Sequence, residues 1–150
     1  PILSFTTEEI FQIINEKKNL SIHLENFPEI PKNWENKKLY EKWEKLKVIR
    51  SVVNAGIEAK RSNKDIGSSL EADVEVYLKD DNLKIAKDFD LPENFITSKA
   101  VAKKFIKNDN NLFQLEEIES INVLVKKAEG EKCPRCWKIF PGPCARCKAN

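Results

Sequence analysis

Methionine is absent from this 150-residue chain, histidine occurs once, glycine four times, and the first 132 residues hold no cysteine. Each shortage removes a class of function. No apolar run approaches the roughly 18 residues that cross a bilayer as a helix, so no membrane span is expected. Four glycines leave little material for a loop that cradles phosphate, and no repeat or low-complexity tract is present. His23, in Ser21-Ile-His-Leu-Glu-Asn-Phe-Pro, sits in a short alternating stretch read as an extended connector and is assigned no chemistry. The acidic pairs Glu8/Glu9 and Glu116/Glu117 are adjacent in sequence, diverge on a helix and make poor acid–base partners. No export signal is visible, which with reduced thiols points to the cytoplasm. The chain opens on Pro1 inside what reads as a structured element, so it is read as a piece of a longer protein.

What is present is concentrated at the end. Two Cys-x-x-Cys pairs, Cys133/Cys136 and Cys144/Cys147, are separated by seven residues. A short Cys-x-x-Cys turn points two sulfurs the same way, and two such turns face to face complete the closed tetrahedral thiolate shell of structural zinc. Gly142, between Pro141 and Pro143, is expected to supply the turn that doubles the chain back. A disulfide framework would spread its cysteines across a small secreted domain, and a redox dithiol would open a helix in a βαβ unit. The pattern fits neither. Four cysteine ligands leave no open position for catalysis, so one structural zinc ion is the expected cofactor.

From Glu131 onward the basic residues are Lys132, Arg135, Lys138, Arg146 and Lys148 against Glu131 alone, a net of +4 where the whole chain carries +2. The pI near 8.4 is mild, so any nucleic-acid contact is a local patch. Lys132, Arg135, Lys138 and Arg146 beside Trp137 and Phe140 combine cations for phosphate with aromatic faces for unpaired bases, as single-stranded RNA binding requires. The competing reading makes Trp137 and Phe140 a small core beneath the metal and the cations a solvated rim. Composition allows one modest core or two small ones: 41% of residues are hydrophobic and 33% charged.

Along the chain, Thr6 or Thr7 is expected to cap a helix with Glu8 and Glu9 in its first turn, Ile10, Ile13 and Ile14 on one face, and Lys17 and Lys18 at its end. Leu39, Trp43, Leu46, Ile49, Val53 and Ile57 recur at helical spacing and predict a long helix over 36–62, with Arg50 and Arg61 on other faces. Asn63 and Gly67 end it. Alternation over 70–78 predicts a strand, Asp80 and Asp81 open a short helix that Leu91-Pro92 stops, and Phe95-Ile-Thr-Ser is read as a second strand. Asp109-Asn-Asn is a turn, and Ile121-Asn-Val-Leu-Val a strand leading into the first cysteine pair.

Four stretches together resemble the C-terminal region of bacterial-type isoleucine-tRNA ligases: Thr6-Thr-Glu-Glu-Ile, Trp43-Glu-Lys-Leu-Lys-Val-Ile-Arg-Ser-Val-Val-Asn, Ile66-Gly-Ser-Ser-Leu-Glu-Ala, and Ala128-Glu-Gly-Glu-Lys-Cys-Pro-Arg-Cys-Trp137. The resemblance implies an α+β chain: residues 1–66 as the end of a class I anticodon-binding helical bundle, 67–128 as an α/β junction module, and 129–150 as a four-cysteine zinc knuckle. It implies isoleucine tRNA as partner, with Arg135 and Trp137 near the anticodon; Arg50 and Arg61, by themselves part of a solvated helix surface, become further candidates once such a partner is established. It also implies covalently linked N-terminal catalytic and editing domains and a monomer. ATP would be used only in the catalytic domain, since one histidine and no methionine leave neither a His-Ile-Gly-His-like nor a Lys-Met-Ser-Lys-Ser-like motif in its usual form. Phe11 stands where the family often carries Trp, and the seven-residue cysteine gap is shorter than usual.

Overall fold

The longest helix packs its apolar stripe against a small mixed sheet. The computed structural model describes residues 2–15, 20–106, 111–145 and 147. It separates into two units, Pro1–Asn36 and Lys37–Asn150. The longest helix and the sheet both fall in the second of these units.

In the first unit, α1 spans Ser4–Ile14. The expected threonine cap is not formed. Leu3, in the left-handed region at φ 62°, precedes the helix, and the Thr7 hydroxyl donates back to the Leu3 and Ser4 carbonyls at 3.0 and 3.2 Å. A hydroxyl used as donor inside the first turn cannot also sit outside it as a cap. Glu8 is engaged elsewhere: its carboxylate accepts from Gln12, from the Ser21 hydroxyl at 2.8 Å and from the Ile22 N–H at 3.0 Å. The Gln12 and Ser21 hydrogen bonds hold its pKa below the ordinary value. The connector around His23 is a 3₁₀ turn over Ile22–Leu24, with the Ser21 hydroxyl accepting from the His23 N–H, rather than extended chain. No residue of α1 is buried; Ile13 and Ile14 are 76% and 73% exposed. Lys17 and Lys18 lie outside the described residues.

In the second unit, α2 runs Lys37–Ser62 and buries Leu46, Ile49, Val52, Val53, Gly56 and Ile57. The stripe is buried only from Leu46 on; Leu39 is exposed, and Trp43 packs its ring 5.8 Å from Phe89. Its end is a Schellman closure: Lys64, at φ 61°, donates to the Arg61 carbonyl and Asp65 to the Lys60 carbonyl. The Lys60–Asp65 ion pair at 3.0 Å takes the place of the hydrophobic contact usual there.

Three strands follow: β1 Ala72–Leu78, β2 Lys99–Lys104 and β3 Ile121–Lys127, in the order β2-β1-β3. The β1–β3 pair is antiparallel, with Val74 opposite Val125 and Val76 opposite Val123. The β1–β2 pair is parallel and so needs a crossover, which α3 (Asp80–Ala86) and α4 (Leu91–Phe95) supply. Alternation sends Val74, Val76, Leu78, Ile121, Val123 and Val125 into one core with α2.

Two expectations are overturned here. Leu91-Pro92 starts α4 instead of ending a helix, because Asp90 accepts the Glu93 N–H at 3.3 Å and proline's missing donor is no loss in a first turn. Phe95 closes that helix, 2% exposed in the core, so the second strand lies at 99–104 and not at 95–98. The architecture is α+β. Among the described residues no helix is long and apolar enough to cross a membrane. Of the expected Asp109-Asn-Asn turn, only Asn111 falls within the described residues.

Candidate metal centre and nucleic-acid interface

Past β3 the chain forms a two-stranded hairpin, β4 (Glu131–Lys132) paired antiparallel with β5 (Ile139–Phe140). The Cys133 N–H donates to the Lys138 carbonyl and the Trp137 N–H to the Cys133 carbonyl, each at 2.9 Å. These bonds fold Cys133–Trp137 into a tight turn that puts Trp137 at φ 64°. Gly130 enters the hairpin at φ 122°, where a Cβ would lie 1.9 Å from the Phe140 carbonyl oxygen. Only glycine fits that approach. Gly142, expected to need left-handed freedom, is not at positive φ, and a Cβ there would meet nothing within 4 Å.

The four cysteine sulfurs converge within 4.8 Å of one another, none in a disulfide, and Cys136 Sγ lies 3.7 Å from Cys144 Sγ. Metal–sulfur bonds of about 2.3 Å in a tetrahedron give sulfur–sulfur edges of about 3.8 Å, so the donor set fits a thiolate-bound metal ion. The backbone N–H groups of Cys136 and Arg135 aim at the Cys133 sulfur and pull its thiol down to about 6. Burial, then the neighbouring thiols, push Cys147 up to about 12. Four thiols this close cannot all ionise unless a cation offsets their charge.

The basic and aromatic candidates divide. Lys132 and Trp137 come together, with the ammonium 5.7 Å from the centre of a ring that is 60% exposed. Arg135 is exposed in the same turn. The exposure of Trp137 removes it from any core beneath the metal, while Phe140 is half-buried. Lys138 is 8% exposed, its ammonium paired with Glu93 at 2.6 Å. Arg50 and Arg61 stand on α2, about 16 Å apart along its axis. Arg61 pairs with Glu58 at 2.8 Å. Arg146 and Lys148 lie outside the described residues. Sequence reasoning missed Glu93, Ser98 and Gly130. For Gly130 a signal existed, a glycine directly before a hairpin strand; Glu93 and Ser98 gave none.

A family model described as the anticodon-binding domain of tRNA ligase matches residues 1–76. The isoleucine–tRNA ligase of Pelagibacter ubique (strain HTCC1062) is 44% identical over 97% of this chain, which covers 15% of that relative. That of Petrotoga mobilis (strain DSM 10674 / SJ95) is 38% identical over 98% of the chain and 17% of its own length. That of Agrobacterium fabrum (strain C58 / ATCC 33970) is 41% identical over 93% and 14%. The chain thus spans about a sixth of the length of the curated relatives it matches.

Proposed function

We propose that this chain, which belongs to the anticodon-binding domain family of tRNA ligases, reads the anticodon of isoleucine tRNA as part of an isoleucine-tRNA ligase. The observation that carries the reading is the exposed Trp137 ring, flanked by Lys132 and set in the turn that bears Cys133 and Cys136. An exposed aromatic beside cations gives an unpaired base a stacking surface and its phosphate a counter-charge. Arg135 supplies hydrogen-bond donors for base edges, and Arg50, Arg61 and Arg146 supply further cations for the backbone.

One zinc ion is the metal this reading assigns to Cys133, Cys136, Cys144 and Cys147. Its chemistry is structural, cross-linking two turns and leaving no open position. The division into a bundle end at 1–66, a junction module at 67–128 and a knuckle at 129–150 belongs to the same proposal. So do the covalently linked catalytic and editing domains, where ATP would be used, a monomeric state and a cytoplasmic setting. On this reading the 150-residue chain does not aminoacylate alone.

A second reading, a zinc-held brace without base contact, draws on the contacts that Lys138 and Ile139 make with Glu93 and Ser98. The two are separated by binding of the zinc-loaded protein to isoleucine tRNA and to the same tRNA with a changed anticodon, at two salt concentrations. Salt-sensitive binding that falls with the anticodon change supports anticodon reading. Equal binding to both tRNAs would leave the brace.

A further inference from the structure

The charge pattern of the tail groups Lys138 with the RNA-facing cations, but its surroundings give it another task. Its ammonium donates to Glu93 Oε1 of α4 at 2.6 Å, with the lysine side chain 10% exposed. One residue on, the Ile139 N–H donates to the Ser98 hydroxyl at 2.6 Å. That hydroxyl in turn donates to the Leu70 carbonyl, just ahead of β1. Two consecutive residues of the hairpin are thus held by the corner between α4 and β2, one through its side chain and the other through its backbone.

The consequence reaches Trp137, the residue before Lys138. A bulky residue at φ 64° is uncommon and persists where its neighbours over-determine it. Here the Cys133 carbonyl holds the Trp137 N–H on one side, and Glu93 anchors Lys138 on the other. Without Glu93 a nearly buried ammonium would be left unpaired, and the cheapest response is for β5 to turn it toward water. That movement would carry Trp137 and Arg135 with it.

We infer that Glu93 and Ser98 are positioning residues, which dock the cysteine hairpin on the sheet module and set the direction in which Trp137 and Arg135 meet RNA. The inference rests on the anticodon reading above. It makes Lys138 a docking residue and not a phosphate contact.

The test uses the metal-loaded protein and the variants Glu93→Gln, Ser98→Ala, Lys138→Glu and the reversed pair Glu93→Lys with Lys138→Glu. Metal content, amide exchange at Ile139, and affinity for isoleucine tRNA and its anticodon-changed form are measured for each. At full metal content, Glu93→Gln and Ser98→Ala should speed exchange at Ile139 and narrow the difference between the two tRNAs. The loss of cognate affinity for Glu93→Gln should be roughly tenfold, the scale of one charge-assisted hydrogen bond. Lys138→Glu should behave alike, and the reversed pair should restore both readouts. A Lys138→Glu loss equal for both tRNAs and not restored by the reversed pair overturns the inference in favour of a phosphate contact. So does a Glu93→Gln variant with unchanged exchange and affinity. Failure of the underlying reading shows separately, as equal affinity of the unsubstituted protein for the two tRNAs; exchange at Ile139 then decides the docking role by itself.

Discussion

Lys132 holds its ammonium 5.7 Å from the centre of the Trp137 ring, across the mouth of the turn that carries Cys133 and Cys136. An exposed cation–π contact of this kind is worth about 0.5–1 kcal/mol and limits the orientations of the indole. On the proposed reading, the ring offered to a base is already restrained and its cation already in place. Trp137→Ala should weaken binding of the cognate tRNA by roughly 1–3 kcal/mol, the usual loss of a stacking platform. Filter binding or fluorescence titration checks it at unchanged metal content. An unaltered affinity would take Trp137 out of the interface.

Gly130 carries a prediction about folding and not about binding. At φ 122°, with its missing Cβ 1.9 Å from the Phe140 carbonyl oxygen, it admits no side chain unless β4 and β5 separate. Gly130→Ala should cost the hairpin about 1–3 kcal/mol in backbone strain, with the steric clash in addition. The expected signature is faster metal loss to a chelator while the melting of the sheet core changes little. Gly142→Ala, where the new methyl would meet nothing within 4 Å, serves as the control and should release metal at the original rate.

Glu75 gives the sheet a dependence on acid. It lies on the face of β1 opposite the core and accepts from Lys103 at 2.7 Å and from the Tyr77 hydroxyl at 2.6 Å, with Lys126 at 3.5 Å. The Lys103 hydrogen bond first, then that of Tyr77, lowers its pKa from an ordinary 4.5 to about 2. A carboxylate depressed on folding contributes stability in full above its unfolded value and loses it as pH falls toward the folded one. Stability should therefore decline between about pH 4.5 and 2, by on the order of 1–2 kcal/mol once solvent screening at a partly exposed site is allowed for. Urea unfolding of the protein and of Glu75→Gln over that range is the measurement. A Glu75→Gln variant with the same slope would mean that other carboxylates carry the effect.

Local signals carried most of what was legible. The α2 periodicity, the alternation of β1 and the paired cysteines each reflect one periodicity or spacing, and each element appears where its residues predict, with the α2 stripe buried only from Leu46 on. Asp90-Leu-Pro-Glu was legible too, as an N-cap followed by proline in the first turn, but proline's reputation as a terminator overrode it and displaced β2 by several residues. Lys138 marks the limit of such reading. Its charge, next to an aromatic in a basic tail, resembles a solvated cation, and the partner that buries it lies 45 residues earlier in the chain. Nothing near Glu93 announces that pairing, because it exists only after the crossover through α4 has brought the α4–β2 corner beside β5. Ser98 was hidden for the same reason.

Metal removal tests whether the cysteine hairpin is a separate cooperative unit. The buried apolar cluster runs from Leu46 to Val125 and includes no residue of the hairpin, which is tied to it through Lys138–Glu93 and Ile139–Ser98. Four thiols within 4.8 Å, one pulled down to about 6 and another pushed up to about 12, do not hold together as thiolates without a cation. Chelation should therefore unfold the hairpin, release one metal ion per chain and free the Ile139 amide to exchange. The helical circular dichroism of α2 and the melting of the core should persist. Cognate tRNA affinity should fall by at least as much as in Trp137→Ala, since the stacking surface and its neighbouring cations lose their arrangement together. If chelation instead collapses the sheet, the metal supports the whole Lys37–Asn150 unit, and the small buried core is insufficient by itself.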